Sequence, residues 1–280
     1  MQLGFSTNAF TRFSLTDALA TIAAAGYAGV EILADRPHWY PDHFDPAEAE
    51  GIRGQLETLR LKVSNINANC TFGYWKDAPP EPFFEPSLIS PDARLREDRI
   101  RMIHNTLDFA HAIAAPNISI TSGKALPTMP PDAAMKQLYE SLGPVLEKAE
   151  KLQVRVGIES EPMLFIEWAT ELRELIDRMG SKMLGANLDI GHSVVLGEDI
   201  AATVKLLDGR IWNCHVEDIR GRKHYHLIPG TGNLDWQALR KALAAIKYDR
   251  FLTVELYTCV DAPAEAAQQS IAYLRAFFKE

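Results

Sequence analysis

The chain has 280 residues, 47% of them hydrophobic, enough to bury one barrel-sized core or two smaller ones. A net charge of −8 argues against nucleic acid as a partner, because phosphate backbones are held by clustered Lys and Arg, and the most cationic stretch, Arg220-Gly221-Arg222-Lys223-His224, is short enough to be a solvated loop or an anion clamp. No apolar run is long enough for a membrane span, the N-terminus lacks a secretory pattern, and three cysteines without paired spacing (Cys70, Cys214, Cys259) fit a reduced cytoplasmic protein that uses them as small packing residues.

A strand pattern begins at once with Gln2-Leu3-Gly4-Phe5, and short apolar runs recur near 2–6, 29–33, 62–68, 117–121, 154–159, 184–189, 211–217 and 251–256. Each is followed by a helical pattern, such as Leu138, Leu142, Val145, Leu146 and Ala149, or Leu172, Leu175, Ile176 and Met179. His104 and His111 fall on the third helical pattern, where packing or solvation is the default, and Pro144 falls inside the fourth, where a kink is expected. Strict alternation of strand and helix requires a parallel sheet, and units averaging about 35 residues fit a closed (β/α)₈ barrel better than an open sheet. The expectation is therefore a single α/β domain, a (β/α)₈ TIM barrel over residues 1–280. No glycine-rich phosphate fingerprint follows the first strand, which disfavours a dinucleotide fold.

Two segments break this rhythm, and both project from the rim where barrel enzymes build their sites. Residues 69–91 carry Phe72, Tyr74, Trp75 and five prolines, and read as a lid or a packing loop. Residues 220–235 contain the turn Pro229-Gly230-Thr231-Gly232 and read as a second rim loop.

Four consecutive strand candidates close on residues with metal-ligand chemistry: Glu159, Asp189, His215 and Glu255. In a parallel barrel those ends lie side by side, so three carboxylates and one imidazole converge on one point. Such a set without thiolate suits one divalent cation, Mn, Mg, Co or Zn. Alternation supports the placement, since an inward Glu159, Asp189, His215 and Glu255 also puts Gly157, Asn187, Asn213 and Thr253 inside and leaves Ile158, Leu188, Cys214 and Val254 for the helices. Asn65, Asn67, Ser119 and Thr121 share one parity in strands three and four, so the interior reads as a hydrated polar pocket. Glu31 ends the second strand facing inward, to touch substrate or pair with a neighbour. Glu161 and Glu217, two residues beyond metal ligands, either orient those ligands or charge the rim.

These residues carry a family resemblance along the whole chain. Gly26-Tyr27-Ala28-Gly29-Val30-Glu31, Gly157-Ile158-Glu159, Leu188-Asp189-Ile190-Gly191-His192, His215-Val216-Glu217-Asp218, Pro229-Gly230-Thr231-Gly232-Asn233-Leu234-Asp235-Trp236 and Thr253-Val254-Glu255-Leu256 together resemble the xylose-isomerase-like barrel superfamily of sugar phosphate isomerases and epimerases. The resemblance implies that Glu159, Asp189, His215 and Glu255 hold the metal, and that Glu159 and Glu255 act as the acid/base pair. It implies that His192 hydrogen-bonds substrate oxygens, against a capping or packing role. His226 reaches the substrate or a second metal, against a surface-loop role. Arg220 resembles the arginine that epimerases place after the strand-seven histidine, although the loop here is longer. With Asn67, Trp75 and Glu161 these residues form the candidate substrate contacts. A homodimer or homotetramer is a further implication of the family.

The expected activity is metal-dependent isomerisation or epimerisation of a small hydroxy-carbonyl compound, a keto sugar or sugar phosphate, through an enediolate. The alternatives are a dehydratase (lyase) that expels a β-hydroxyl from a keto polyol or dehydroshikimate-like substrate, and a ligand-binding barrel without turnover.

Overall fold

The structure is a computed structural model that describes every residue except Cys70, 78–83 and 279–280. The expected packing role of Cys70 and the centre of the expected lid lie outside the described residues. Among the described residues ten strands run β1 (Gln2–Ser6), β2 (Gly29–Leu33), β3 (Lys62–Asn67), β4 (Asn117–Thr121), β5 (Arg155–Glu159), β6 (Leu184–Asp189), β7 (Ile211–Val216), β8 (Asp218–Arg220), β9 (Lys223–Leu227) and β10 (Phe251–Val254). All but β8 and β9 close into a parallel barrel in the order β1-β10-β7-β6-β5-β4-β3-β2, the (β/α)₈ architecture expected from the alternating pattern. Around it lie α1 (Leu15–Ala25), α2 (Pro46–Leu59), α3 (Ala93–Ala112), α4 (Pro131–Leu152), α5 (Ala169–Met179), α6 (Ile190–Leu196), α7 (Ile200–Leu206), α8 (Trp236–Ala245) and α9 (Pro263–Leu274). Among the described residues, no helix is long and apolar enough to cross a membrane.

Local chemistry sets these boundaries. Ser14 caps α1 by accepting the Asp17 N–H, Asp235 caps α8 by accepting the Ala238 N–H, and Asp189 caps α6 by accepting the His192 N–H. The Leu172, Leu175 and Ile176 stripe buries α5 against the sheet, and α4 runs through Pro144 as one helix. Outward-facing strand residues such as Phe5, Ile32, Ile66, Ile120, Ile158, Leu188 and Val254 meet the helical stripes in one continuous apolar shell. Inside the barrel the polar set pairs largely with itself. Asn213 donates to Asn187 Oδ1 (2.9 Å), Thr253 Oγ1 lies between Asn213 Oδ1 and Ser64 Oγ (2.9 and 3.0 Å), and Asn65 donates to Ser119 Oγ (2.9 Å). The expected hydrated interior is thus a protein hydrogen-bond network below the site.

Residues 220–235 differ from the expected loop, because β8 and β9 form an antiparallel hairpin over the rim, with Asp218 opposite Leu227 and Arg220 opposite Lys223. Its strands lack an apolar alternation, so nothing in the hydrophobic period marks them. Asp218 fastens the turn that follows, its carboxylate accepting N–H groups from Gly230 (2.8 Å) and Leu234 (3.0 Å).

Candidate metal centre and substrate pocket

Parallel register brings four strand ends level at the C-terminal mouth, with Thr121 opposite Glu159, Asp189 opposite His215, and His215 opposite Thr253. Glu255 follows β10 directly. One ligand atom from each of Glu159, Asp189, His215 and Glu255 lies within 4.8 Å of the others, and all four residues are buried. His215 Nδ1 stands 3.4 Å from Glu159 Oε2, 3.7 Å from Glu255 Oε2 and 3.9 Å from Asp189 Oδ2.

Neighbouring side chains fix each of these groups. His215 Nε2 meets Glu31 Oε2 at 2.6 Å, and because a carboxylate accepts, the ring donates there and turns Nδ1 toward the other carboxylates. Glu31 is therefore a structural partner of His215, and amides of Asn65 (2.7 Å) and Asn67 (3.2 Å) also donate to it. Asn69 (2.7 Å) and Asn187 donate to Glu159 Oε2, while Asn8 and Asn67 (both 2.9 Å) donate to Glu255 Oε1. Each glutamate thus has one oxygen held by two side-chain amides, which leaves Glu159 Oε1 and Glu255 Oε2 for other work. Asp189 Oδ1 caps α6, whereas its buried Oδ2 has no hydrogen-bond partner. A buried carboxylate oxygen without a donor is costly unless a cation meets it. That orphaned oxygen and the mixed oxygen and nitrogen donors fit a divalent cation.

Burial and crowding of charge shift the site's ionisation in opposing directions. Burial opposes charge on His215, but Glu31, Glu255 and Glu159 outweigh it and hold the ring well above its ordinary value. Likewise burial works against His192, yet Asp189, Glu161 and Glu159 raise it to about 9. Glu255 is pushed well above the carboxylate range by burial, as are Glu217, by burial and by Asp189 beside it, and Glu161, raised to about 7. Asp189 is lowered, the neighbouring His192, His226 and His215 rings overcoming its burial.

A cavity of about 670 Å³ opens above the metal group. Of the expected substrate contacts, Asn67, Glu161, His192 and His226 line it. Arg220 and Trp75 do not. Arg220 is exposed and its guanidinium donates to the Thr231 carbonyl (2.5 Å), because the hairpin turns this position away from the barrel mouth. Trp75 packs edge-on against Tyr74 and donates to the Glu85 carbonyl (2.6 Å); Phe72 and Phe84 of the same segment face the cavity instead. The cationic stretch is structural too, since Arg222 donates to the carbonyls of Val195 and Leu196 that end α6. Asn8 and Asn69 were not singled out from the sequence; each stands two residues beyond an inward-facing strand end, and that parity was the available signal.

At the rim, alternation along β9 brings His224 and His226 to His192. His224 Nε2 lies 3.0 Å from His192 Nε2 and 3.1 Å from His226 Nε2, and it can accept from one or donate to the other, not both. The far nitrogens of His192 and His226 donate to the carbonyls of Ser160 (3.1 Å) and Glu255 (3.0 Å). Three ring nitrogens within 4.8 Å of one another make a second group able to hold a metal ion.

Comparison with known proteins agrees with this architecture. The chain is 23% identical over 286 residues to fructoselysine 3-epimerase of Escherichia coli O157:H7, covering 100% of this chain and 99% of that protein. Among solved structures it superimposes on a D-tagatose 3-epimerase-like protein with a TM-score of 0.81 at 20% identity, covering 99% of this chain and 98% of the other. The IolI protein, crystallised with a bound zinc atom, matches with a TM-score of 0.80 at 18% identity over 100% of both chains. Residues 19–277 match the family described as xylose isomerase-like TIM barrel, and the chain belongs to that family.

Proposed function

We propose that the protein is a divalent-metal-dependent isomerase or epimerase of a keto sugar or sugar phosphate, working through an enediolate. The observation that carries this reading is the placement of Glu159 and Glu255, which reach the site from non-adjacent strands, each with one oxygen restrained by two amides and the other left for chemistry. A relative over the full length acts on a keto sugar conjugate, as its name states, and a structural neighbour holds zinc. Glu159, Asp189, His215 and Glu255 would hold a dication, which would supply the positive charge that makes the C–H beside a substrate carbonyl acidic. One glutamate withdraws that proton and the other returns one, on the opposite face for an epimerase or at the neighbouring carbon for an isomerase. Cationic His192 donates to substrate oxygens from the pocket wall, and Asn8, Asn67, Asn69 and Asn187 keep the two carboxylates from turning.

Incubation in heavy water with manganese and a panel of ketohexoses, their phosphates and keto polyols tests the proposal by mass. Expected is uptake of a single deuteron without loss of water, abolished in Glu159→Gln and Glu255→Gln variants that still bind metal. Loss of water would identify a dehydratase instead. Failure of every compound to exchange would leave a ligand-binding barrel.

A further inference from the structure

The cavity has two chemically distinct zones. Its floor is the polar metal group, whose chelating chemistry concerns a carbonyl and one neighbouring hydroxyl. Its lining also carries the large side chains of Phe72, Phe84, Met163, Leu164 and Tyr257, and the exposed Phe72, Met163 and Tyr257 mark its mouth. Met163 is 68% exposed, Tyr257 46% and Phe72 44%, a concentration of large apolar surface that a lone hydrophilic sugar does not cover. The volume of about 670 Å³ falls within the range of pockets that enclose whole drug-sized ligands, several times the room of one free hexose.

Among the described residues, one cation of the cavity lining stands without a partner. Lys124 lines the cavity, is half-buried, and makes no ion pair or hydrogen bond among the described residues, whereas Lys136 and Lys148 are paired with Glu140 and Asp108. The backbone just before it is fastened twice. The Ser122 hydroxyl accepts the Ile166 N–H (2.9 Å) and the Gly123 carbonyl accepts the Phe165 N–H (2.9 Å). Gly123 adopts φ +90° against the Ser87 side chain, a conformation and a closeness of approach that a side chain would resist. Lys124 thus follows a fixed turn and shares the cavity lining with apolar side chains. Arg36, also in the cavity lining, adds positive charge while stacked at 4.7 Å on Tyr40. By contrast the Asp35 carboxylate is occupied by N–H groups of Arg36, Phe72 and Gly73 (2.7, 2.7 and 2.8 Å).

We infer that the substrate is a keto sugar bearing a substituent that is apolar along its length and anionic at its end, with Lys124 meeting the anion. The inference rests on the isomerase reading for the sugar end alone; the substituent is argued from the mouth. Lys124 is a specificity-determining residue in this scheme and touches none of the reacting atoms.

The test compares three compounds: fructose, fructose with a 4-carboxyphenyl ether on its terminal hydroxyl, and the methyl ester of that ether as the neutral match. Deuterium exchange from solvent gives kcat/KM for each with the metal-loaded protein. The acid is expected to exceed its ester by roughly tenfold, the order of one charge-assisted hydrogen bond, and the ester to exceed free fructose. In Lys124→Ala the acid-over-ester preference falls to near unity, and in Lys124→Arg it persists. Equal rates for acid and ester in the native protein, a preference surviving in Lys124→Ala, or free fructose as the best substrate would each overturn the inference while leaving the isomerase reading intact. Should none of the three exchange, that reading fails for this sugar, and calorimetric binding of acid and ester to the native and Lys124→Ala proteins decides the inference by the same ratio.

Discussion

His215 donates its Nε2–H to Glu31 at 2.6 Å, deep in the barrel, and thereby presents Nδ1 to Glu159, Asp189 and Glu255. The two strands that carry this pair, β2 and β7, are not neighbours in the barrel, so the contact spans its interior. A carboxylate behind a ligand histidine fixes the tautomer and raises the basicity of the ligating nitrogen. Glu31→Gln keeps the size of the group but loses its charge, and metal affinity is expected to drop by about 10–100-fold. Competition against a chelator, with circular dichroism as the check on folding, measures it.

Metal removal should destabilise the protein. With the ion in excess by about 100 times its dissociation constant, binding contributes about 2.7 kcal/mol to the folded state. Treatment with a chelator is expected to lower Tm by several degrees and manganese or zinc to restore it. Glu159→Gln or Asp189→Asn should show a smaller shift, since each removes a ligand while relieving the crowding of negative charge.

Gly191 allows Glu217 to lie beside Asp189, because a Cβ at position 191 would overlap Glu217 Oε1. Gly191→Ala is expected to cost on the order of 1–3 kcal/mol, the usual range for overpacking, and to weaken metal binding as the displaced Glu217 presses on Asp189. Denaturant unfolding and metal titration of the same variant separate the two effects. Unchanged metal affinity would show that Glu217 does not orient Asp189.

Acid should act partly through His226. Burial holds its pKa down to about 3, while the unfolded value is near 6.5. As pH falls below 6.5 the unfolded chain binds this proton first, so the contribution is whole above that pH and is lost progressively toward 3. In metal-free protein, the Tm advantage of the native chain over His226→Gln is expected to shrink between pH 6.5 and 4. An advantage that stays level over that interval would show His226 protonated in the folded state.

The four ligand-type residues were legible because each ends an apolar run, and a parallel barrel leaves such ends one place to meet. Glu31 was readable as an inward carboxylate but not as the partner of His215, since the residues lie 184 apart in sequence and their strands are not adjacent. Arg220 misled for a local reason. Spacing after His215 matched an epimerase arginine, yet a hairpin of polar residues intervenes and turns the guanidinium toward Thr231. Trp75 misled in a similar way, since aromatic content marks a segment that covers something but not which ring faces the cavity.

Period and parity along the chain determined by themselves that strands and helices alternate, that the sheet is parallel and closed, and that the polar side of its last strands carries carboxylates and an imidazole. These follow from local repeats of the backbone, which a linear text records. Only the tertiary structure decided which amide restrains which glutamate oxygen, that three histidines from α6 and β9 meet at the rim, and that Lys124 lines a partly apolar cavity with no partner among the described residues. Those depend on strand register, on the turn of a short hairpin and on side-chain rotamers across the barrel, and each couples residues whose separation along the chain carries no trace of their contact.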